Sequence, residues 1–470
     1  MSSPGSLIPT VAAALSFALV HHEATAQQPA ARLAIPIEYY KLPNGMKVVL
    51  SRDTTTPTAI VAVYYNIGFR VEPKNRTGFA HLFEHLMFQG SQNLGKMEFI
   101  KLVEQNGGIL NGSTRYDFTN YFQVVPSNAL NTILWAEADR MRGLAIDTSN
   151  LKNQQEVVKN EVRVNVLNQP YGSFPWLDLP MRANTNWYNA HNFYGDLADL
   201  DAATLDDAAG FFRTYYAPSN AVLVVTGDFD PRETRSWIEQ YFGPIASGPR
   251  PSMPDLTEPK QTKERRFSRT DSLATRPAIG IAYHVPERYT PEWYAFGVLD
   301  QILGQGRDSR FYEELVRKRG LTGDVSTGIN WGLGSMYDYN GPMLWIIQVF
   351  HDSDKPAASL IEAFDASVEA LRTTPVGRQE LERSLVKLRS SFYSEVEAFA
   401  GFGRANLLAS FALFDDDPAR INRLEAEFAK VTPELILATA QEYLAPSNRT
   451  ILTIVPGKKA AEAGSSESTD

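Results

Sequence analysis

The sequence predicts an α+β protein made of two homologous domains, in which helices cover mixed or antiparallel sheets. First, apolar β-branched runs are mixed along the chain with long helical patterns, which favours helices packed on sheets. Second, residues 216–225 (YAPSNAVLVV) recur as residues 444–453 (LAPSNRTILT), 228 positions later (448 − 220 = 228). Because both copies place a Pro-Ser-Asn turn between a helix end and a buried strand, the match indicates an internal repeat.

The elements of the first repeat follow from local patterns. Asn44-Gly45 is typical of a tight hairpin turn, and an apolar strand follows near residues 59–67. Alternating residues at 109–125 predict a strand pair. Helical spacing predicts helices near residues 127–144, 150–168 and 205–215.

The repeat and the composition divide the chain into segments. At 470 residues the chain is too long for one ordinary domain. Residues 246–271 are rich in Pro, Ser and charge, which predicts an interdomain linker. The other expected segments are a signal peptide at 1–26, a first domain at 34–245, a second domain at 272–458 and a disordered tail at 459–470.

An export signal is predicted at the N-terminus. Residues 7–20 are apolar over a length typical of a signal peptide and too short for a bilayer span, and Ala24-Thr25-Ala26 fits a cleavage site. No Lys or Arg precedes the apolar stretch, so an uncleaved N-terminal anchor is the alternative. We expect an exported, periplasmic protein with no membrane span after signal cleavage.

Composition and charge exclude several classes of protein. With 43% hydrophobic and 21% charged residues, the chain is globular rather than disordered. A net charge of −9 and a pI of about 5.5 give no electrostatic basis for binding nucleic acid. Since the chain has no Cys, disulfides, lipoprotein lipidation and thiolate metal sites are excluded.

The most informative segment is residues 81–85 (HLFEH). On a helix, His81 and His85 lie one turn apart on one face, so two imidazoles can bind one metal ion. Glu84 lies on nearly the same face, while Leu82 and Phe83 can turn into the core. Zinc lowers the pKa of its bound water to about 7, and a nearby carboxylate can accept the proton as that water attacks a carbonyl. The pattern predicts a catalytic zinc site for peptide hydrolysis with Glu84 as general base, because structural zinc sites usually have four ligands rich in Cys.

A third zinc ligand is expected from the helix at residues 150–168, which carries Glu156 and Glu161. Five residues on a helix correspond to about 500° of rotation, so the two side chains diverge by roughly 140°. Only one of them can face the metal, and the spacing alone does not choose between them.

The HLFEH segment, with residues 78–80 (GFA) before it and 86–91 (LMFQGS) after it, resembles the M16 (pitrilysin-type, inverzincin) metallopeptidases. In that family the third zinc ligand is a Glu about 75 residues after the second His, and here 161 − 85 = 76. The resemblance therefore implies Glu161 as the third ligand of one Zn²⁺ per chain. Glu156 is then either a residue that holds a ligand or backbone group in place, or a solvated helix carboxylate.

A further match is residues 107–114 (GGILNGST). In the family this region supplies an edge strand, with which an extended peptide substrate pairs by main-chain hydrogen bonds. Asn111 resembles the family's Asn that touches the substrate backbone. The alternative is a turn Asn beside Gly112.

The second half departs from the family pattern. Single-chain members contribute from this half an Arg and a Tyr, seven residues apart, which reach the substrate near the zinc. Alignment on residues 319–321 (RGL) places Val316 and Gly323 at these two positions. The favoured interpretation is a heterodimer in which an M16-like partner supplies the Arg and Tyr. The alternative is a self-sufficient enzyme in which Arg317, Arg310 or Tyr312 substitutes.

The leading functional prediction is a zinc endopeptidase acting on unfolded peptides. The resemblance also implies that the two homologous halves face each other across an enclosed cavity, which would admit flexible segments and reject folded proteins. A non-catalytic M16-fold assembly subunit is the main alternative, favoured by the altered motif of the second half and disfavoured by the complete HxxEH and Glu161. A different zinc hydrolase, such as an amidase, is a third alternative.

Overall fold

Two mixed sheets, one from each half of the chain, form the framework of the protein. The computed structural model describes residues 33–457. The expected signal peptide at 1–26 and the expected tail at 459–470 therefore lie outside the described residues. Within the described range, no helix is long and apolar enough to cross a membrane.

The first half contributes six strands and nine α-helices to the described part of the chain. In order these are β1 (Glu38–Lys41), β2 (Lys47–Arg52), β3 (Thr58–Tyr65), α1 (Phe79–Leu86), α2 (Glu98–Gln105), β4 (Ile109–Thr114), β5 (Thr119–Pro126), α3 (Leu130–Arg142), α4 (Thr148–Val162), α5 (Asp178–Ala183), α6 (Trp187–Ala190), α7 (Leu197–Asp201), α8 (Leu205–Tyr215), β6 (Ala221–Gly227) and α9 (Pro231–Phe242). A π-helical segment, Arg163–Leu167, continues α4.

The second half contributes five strands and six α-helices up to residue 457. In order these are β7 (Arg265–Asp271), β8 (Ala278–His284), α10 (Pro291–Leu303), β9 (Ser326–Ile329), β10 (Leu344–Phe350), α11 (Ala357–Thr373), α12 (Arg378–Val396), α13 (Phe402–Asp415), α14 (Leu424–Phe428), α15 (Pro433–Tyr443) and β11 (Arg449–Pro456). A second π-helical segment, Tyr312–Lys318, lies between α10 and β9.

The two sheets share one connectivity. The first has the strand order β1-β2-β6-β3-β5-β4, and the second has the order β7-β11-β8-β10-β9. One pair in each sheet is parallel, β2 with β6 and β7 with β11, and all other pairs are antiparallel. Apart from β1, every strand of the first sheet thus has a counterpart in the second. The predicted α+β class with two homologous domains is confirmed.

The repeated Pro-Ser-Asn segment has the same role in both halves. Asn220 donates hydrogen bonds to the carbonyl oxygens of Tyr215 (2.9 Å) and Asn66 (3.3 Å), and thereby ties the end of α8 to the end of β3. Asn448 donates in the same way to Tyr443 (2.7 Å) and His284 (3.0 Å), at the ends of α15 and β8. The side-chain amide satisfies two backbone acceptors at once, which explains why the same letters occur at both places.

Each half also covers the sheet of the other. Helix α5 of the first half packs on β8 and β11, where Phe174 and Leu179 are buried in the core of the second sheet. In return, α13 of the second half packs on β2, β3 and β6. The two halves share their helical layers, so separating them would expose apolar surface on both sheets.

The segment expected to link the domains, residues 246–271, ends in a strand. Its last seven residues form β7, which pairs with β11 at the edge of the second sheet. The charged sequence of β7 does not show an apolar strand pattern because an edge strand is largely exposed. The preceding stretch, residues 246–264, has no helix or strand. It is nevertheless anchored, since Glu258 accepts hydrogen bonds from the backbone N–H groups of Thr185 (2.5 Å) and Asn186 (3.1 Å).

Candidate metal centre

Helix α1 carries the HLFEH segment at the core of the first half. It begins after Gly78, whose φ of 80° is a left-handed conformation, and a Cβ there would lie 2.5 Å from a neighbouring backbone carbonyl oxygen. Glycine is therefore required at this helix start. Leu82 and Phe83 are fully buried, as the helical spacing predicts. Their packing turns the histidines and Glu84 to the opposite side.

Gly78, the N-cap residue of α1, makes no side-chain capping hydrogen bond, and a buried carboxyl group takes this role instead. Glu72 accepts hydrogen bonds from the backbone N–H groups of Gly78 (2.8 Å) and Ala80 (2.5 Å). Burial raises the pKa of Glu72 to about 8, although these two hydrogen bonds act in the opposite direction. Since first-turn N–H groups have no partner within a helix, Glu72 fixes the position of the N-terminus of α1.

Three side chains converge on one point beside α1. The Nε2 atoms of His81 and His85 lie 3.3 Å apart. Oε2 of Glu161 lies 3.6 Å from His81 Nε2 and 3.3 Å from His85 Nε2. Among the residues that the structure describes, no other three His, Cys, Asp or Glu side chains form a cluster able to hold a metal ion. Of the two carboxylates on α4, Glu161 is the one that faces the histidines.

The pKa shifts in this cluster favour the protonation states that bind a metal ion. Burial, together with the charge of His85, lowers the pKa of His81 to about 4, against a smaller opposing effect of Glu161. For Glu161, burial acts to raise the pKa, but the hydrogen bond and charge of His85 and the charge of His81 leave it below its ordinary value. At neutral pH the cluster therefore has a neutral imidazole at His81 and an ionised carboxylate at Glu161, the forms that bind a cation.

Tyr194 supports Glu161 from a loop between α6 and α7. Its hydroxyl donates a hydrogen bond to Glu161 Oε1 (3.3 Å), the oxygen that does not face the histidines. Its ring stands edge-on to that of His81, with centroids 5.2 Å apart. Tyr194 follows Glu161 by 33 residues and belongs to no motif, so no local sequence pattern points to it.

Glu84 lies beside the cluster with one oxygen engaged. Thr114 on β4 donates its hydroxyl to Glu84 Oε2 (2.8 Å). Burial raises the pKa of Glu84 above its ordinary value, while the hydrogen bond from Thr114 and the charges of His85 and Arg115 lower it. A carboxylate with a raised pKa is a better proton acceptor near neutral pH.

Strand β4 lines the same cavity as His81 and Glu161 of the cluster, and this cavity has a volume of about 520 Å³. β4 is the outermost strand of the first sheet, so one of its sides has no strand partner among the described residues. Asn111 lies on β4 and lines the cavity, and its side-chain oxygen accepts a hydrogen bond from the N–H of Gly112 (2.9 Å). The cavity therefore combines a possible metal site with an unpaired strand edge.

Glu156 does not join the cluster. Its carboxylate pairs with Lys159 Nζ, and its side chain is 66% exposed. The 140° divergence expected on an α-helix accounts for this position, and the arrangement is that of a solvated helix carboxylate.

The second half does not bring the expected motif segment to the cavity. Arg310 pairs with Glu380 (2.7 Å), and Arg317 pairs with Glu313 (2.8 Å). Neither arginine lines the cavity, and the same is true of Val316, Gly323 and Tyr312. The lining residues from the second half are instead Trp331, Gly332 and Leu333.

Comparison with protein families gives two matches that together cover most of the chain. Residues 47–174 match the model for "Insulinase (Peptidase family M16)", and residues 202–388 match the model for "Peptidase M16 inactive domain". The chain belongs to the M16 peptidase family. The resemblance found in the sequence is therefore confirmed.

Relatives of this M16 chain span its length. It is 25% identical over 426 residues to "Zinc protease PqqE" of Helicobacter pylori, which covers 89% of this chain and 93% of the relative. It is 22% identical to "Uncharacterized zinc protease YmxG" of Bacillus subtilis, with 77% of this chain and 85% of the relative covered. The M16 chain is thus similar over most of its length to proteins named as zinc proteases.

Solved structures show the same fold. A protease from Helicobacter pylori matches with a TM-score of 0.82 at 24% identity, over 90% of this chain and all of that one. The periplasmic protease PqqL from Escherichia coli matches with a TM-score of 0.74 at 17% identity. The match covers 92% of this chain but 49% of PqqL, so this M16 chain spans about half the length of that protein.

Proposed function

We propose that the protein is a zinc-dependent endopeptidase that hydrolyses unfolded peptide segments. The observation that carries the proposal is the convergence of His81, His85 and Glu161 beside Glu84 in a cavity bordered by an unpaired strand edge. The names of its relatives as zinc proteases support the same chemistry.

The spacing of the three ligand atoms fits zinc. Zinc binds nitrogen and oxygen ligands at about 2.0–2.1 Å in a tetrahedral arrangement, which requires ligand atoms about 3.3–3.4 Å apart. The separations within the cluster are 3.3, 3.3 and 3.6 Å. His81, His85 and Glu161 would therefore hold one Zn²⁺ per chain, and three protein ligands are the number usual in catalytic sites.

Zinc, when bound, would supply Lewis-acid activation of water and of the peptide carbonyl group. Glu84 is placed to act as general base, because it lines the cavity and its Oε2 alone accepts the hydrogen bond from Thr114. The proton that Glu84 accepts from the attacking water can then pass to the leaving amine nitrogen. Tyr194 would keep Glu161 oriented during this exchange.

An extended peptide is the substrate form that the site supports. Backbone N–H and C=O groups on the free edge of β4 can pair with an added strand, and this pairing is independent of sequence. Asn111 lies on that edge and would contact the substrate backbone. Folded proteins would be poor substrates, since their backbone groups are already paired.

A partner subunit would complete the catalytic site. The second half has Val316 and Gly323 at the positions of the family's Arg and Tyr, and it brings no arginine to the cavity. This chain covers 49% of PqqL, so that protein is long enough to hold a second unit of the same size. We propose an exported heterodimer in which this chain supplies the zinc site and an M16-like partner supplies the Arg and Tyr, with the periplasm as its compartment.

A non-catalytic assembly subunit is the second candidate. It is favoured by the match of residues 202–388 to a family model described as an inactive domain and by the missing Arg and Tyr. A scaffold, however, would not require three donor atoms at zinc-compatible spacing beside a free carboxylate.

Metal analysis combined with a peptide cleavage assay tests the proposal. We expect one zinc per chain and cleavage of an unstructured fluorogenic peptide that a chelator abolishes. The Glu84→Gln variant should keep its zinc and lose cleavage by about 10²–10⁴-fold, the usual contribution of a general base. Assays with and without a copurified partner chain test the heterodimer. Stoichiometric zinc without turnover in any combination would favour the scaffold function.

A further inference from the structure

A short segment before helix α1, residues 68–72, contacts both structural elements that carry the candidate site. Glu72, at the end of the segment, caps α1. Near its start, the backbone N–H of Arg70 donates a hydrogen bond to the carbonyl oxygen of Tyr116 (2.9 Å), in the turn between β4 and β5. The segment therefore joins the helix of the metal cluster to the turn that follows the edge strand.

A buried ion pair fixes this segment to the turn. Arg70 Nε lies 3.2 Å from Asp117 Oδ1, and the two side chains are 1% and 0% exposed. The guanidinium group also lies over the ring of Tyr116, at 4.6 Å from the ring centroid. Burial raises the pKa of Asp117 above its ordinary value, although the charge of Arg70 acts in the opposite direction. The carboxylate of Asp117 thus depends on its partners to stay ionised.

The second half closes this pair from the other side. The backbone N–H of Asn340 donates to Asp117 Oδ2 (2.6 Å), and Arg70 Nη1 donates to the carbonyl oxygen of Pro342 (2.7 Å). Between them, Gly341 has a φ of 131°, and a Cβ there would lie 2.7 Å from Arg70 Nη1. Glycine is therefore required at this position, because a side chain would collide with the guanidinium group.

Stability alone does not account for a fully buried ion pair. Removing two charges from water costs free energy that their attraction only partly offsets, so apolar residues of similar size are often as stable at such a position. What the charged pair adds is a fixed arrangement, since its partners must all lie within hydrogen-bond distance at once. Arg70 and Asp117 impose this requirement on three separate segments, residues 68–72, 115–118 and 340–342.

We propose that Arg70 and Asp117 are positioning residues, which hold the turn after β4 against residues 340–342 and so keep the free edge of β4 aligned for peptide binding. This inference rests on the proposed peptidase function and adds to it a role of the second half in binding the substrate. Thr114, the last residue of β4, lies three residues before Asp117 and donates its hydroxyl to Glu84 (2.8 Å). A displaced turn therefore displaces the strand end that lies beside Glu84.

The kinetic consequence distinguishes a positioning role from a purely structural one. A peptide paired with β4 makes its main-chain hydrogen bonds in the bound substrate and in the transition state alike. A misaligned strand edge weakens both states, which raises KM and leaves kcat nearly unchanged. A pair that served stability alone would lower the Tm on removal and leave the KM of the folded protein as it was.

An apolar replacement of the pair tests the proposal without leaving a buried charge. Arg70→Met/Asp117→Leu should fold and keep its zinc, because apolar residues of similar size can replace a buried ion pair. Its KM for an unstructured peptide should rise by about tenfold to 100-fold, with kcat nearly unchanged. Arg449→Met is the control and should leave KM unchanged. It removes a similarly buried arginine, whose ion-pair partners are Glu264 and Asp365.

Gly341→Ala tests the same contact from the second half, and it decides the question if the double variant does not fold. The added methyl group would push Arg70 away from Pro342, so KM should again rise. Gly377→Ala is the matched control, because no atom lies within 4 Å of a Cβ added there. This control should leave KM unchanged.

Amide hydrogen exchange separates this proposal from the peptidase function. Mass spectrometry follows the exchange of residues 109–119 in the protein as purified, without peptide. Exchange there should be at least about tenfold faster in Arg70→Met/Asp117→Leu, while exchange in β6 stays unchanged. This result supports the positioning role even if the unsubstituted protein cleaves no peptide. Unchanged exchange overturns the proposal whether or not the protein is a peptidase, and so does an unchanged KM in an active protein.

Discussion

Helices α1 and α10 occupy equivalent places in the two halves, and each presents a carboxylate to the neighbouring edge strand. Glu84 on α1 accepts a hydrogen bond from Thr114 of β4 (2.8 Å), and Asp300 on α10 accepts one from Thr327 of β9 (2.6 Å). Six residues after each carboxylate stands a glycine with positive φ, at positions 90 and 306. The repeat has therefore kept one scaffold for both carboxylates.

The surroundings of the two carboxylates differ. The shift that aligns them (300 − 84 = 216) places Gly297 and Gln301 where α1 has His81 and His85. Helix α10 thus has neither imidazole. A Cβ at Gly297 would lie 2.8 Å from the side chain of Met336, so apolar packing fills the space that an imidazole occupies in the first half.

The two carboxylates also differ in how many hydrogen bonds they accept. Asp300 accepts hydrogen bonds from Thr327, the indole N–H of Trp345 (2.6 Å) and Gln305 (3.1 Å), and it is 9% exposed. Within residues 33–457, Thr114 is the one side-chain donor to Glu84 (2.8 Å), and Glu84 borders a cavity. The same fold position thus holds a fully hydrogen-bonded carboxylate in one half and, in the other half, a carboxylate that stays available for the proposed role of general base.

The largest expected effect is on zinc binding, when a substitution gives α1 the residue that α10 has at the equivalent position. His85→Gln should weaken zinc binding by more than about 100-fold, because even residues that only orient a ligand typically contribute 10–100-fold. Competition with a chromogenic chelator measures the change. The reciprocal variant Gln301→His should gain no second zinc, since Gly297 offers no imidazole. Zinc retained in the first variant, or gained in the second, would contradict the comparison.

Truncation of Asp300 should destabilise the protein more than truncation of Glu84. Asp300→Ala leaves buried donors without an acceptor and should lower the free energy of unfolding by about 3 kcal/mol. Glu84→Ala removes one hydrogen bond at a cavity edge and should cost about 1 kcal/mol or less. Urea denaturation of the metal-free proteins, followed by circular dichroism, measures both. Equal losses would mean that the two carboxylates have the same structural role.

Tyr194 provides a smaller and more local test. Tyr194→Phe removes the hydroxyl that orients Glu161 but keeps the ring against His81, so zinc affinity should fall by about tenfold. Tyr241→Phe is the matched control, because its hydroxyl donates to Asn131 (2.6 Å) on elements that do not line the cavity. A decrease of similar size in both variants points to general destabilisation rather than to an effect on the metal cluster.

The smallest effect is expected on stability, from a surface ion-pair cluster between the two halves. Asp416 of the second half pairs with Lys41 (2.5 Å) and Lys47 (3.3 Å) of the first. Partial burial acts to raise its pKa, but hydrogen bonds from Lys41 and Tyr39 and the charge of Lys47 hold the pKa of Asp416 well below its usual range. Since its folded-state pKa lies below the unfolded value of 3.8, the ionised carboxylate stabilises the protein above that pH, and this contribution is lost as pH falls further.

Thermal or urea unfolding of Asp416→Asn against pH measures this contribution. At pH 7 the variant should be less stable by less than about 1 kcal/mol, because the pair is largely exposed and screened by solvent. The difference should disappear as pH falls below 3.8. A difference that persists in acid would show that the carboxylate's charge is not the cause.

Much of the fold could be predicted from local patterns, because those patterns depend on short spacings. The Pro-Ser-Asn repeat predicted the two homologous halves, and Asn220 and Asn448 make matching hydrogen bonds. Strand β7 was missed as a strand because it is an exposed edge whose charged sequence has no apolar alternation. The exchange of α5 and α13 between the sheets could not be predicted either, since it depends on contacts between residues far apart in the chain.

The candidate site likewise has some features that the sequence predicts and others that depend on tertiary packing. The spacing of His81 and His85 follows from the pitch of a helix and needs no tertiary information. Tyr194, Glu72 and Trp331 belong to no motif, and they reach the site only through the packing of loops and of the second half. The same packing leaves Glu156 in solvent beside Lys159.

By itself the sequence determined which groups of α1 carry the proposed chemistry, because two imidazoles and a carboxylate on one helical turn are positioned by the backbone geometry of that turn. Only the tertiary structure decided which carboxylate of α4 meets them, which hydroxyl supports it and which aromatic rings border the cavity. Those choices depend on how separate elements pack, and packing sums many weak contacts among residues that no short stretch of sequence contains.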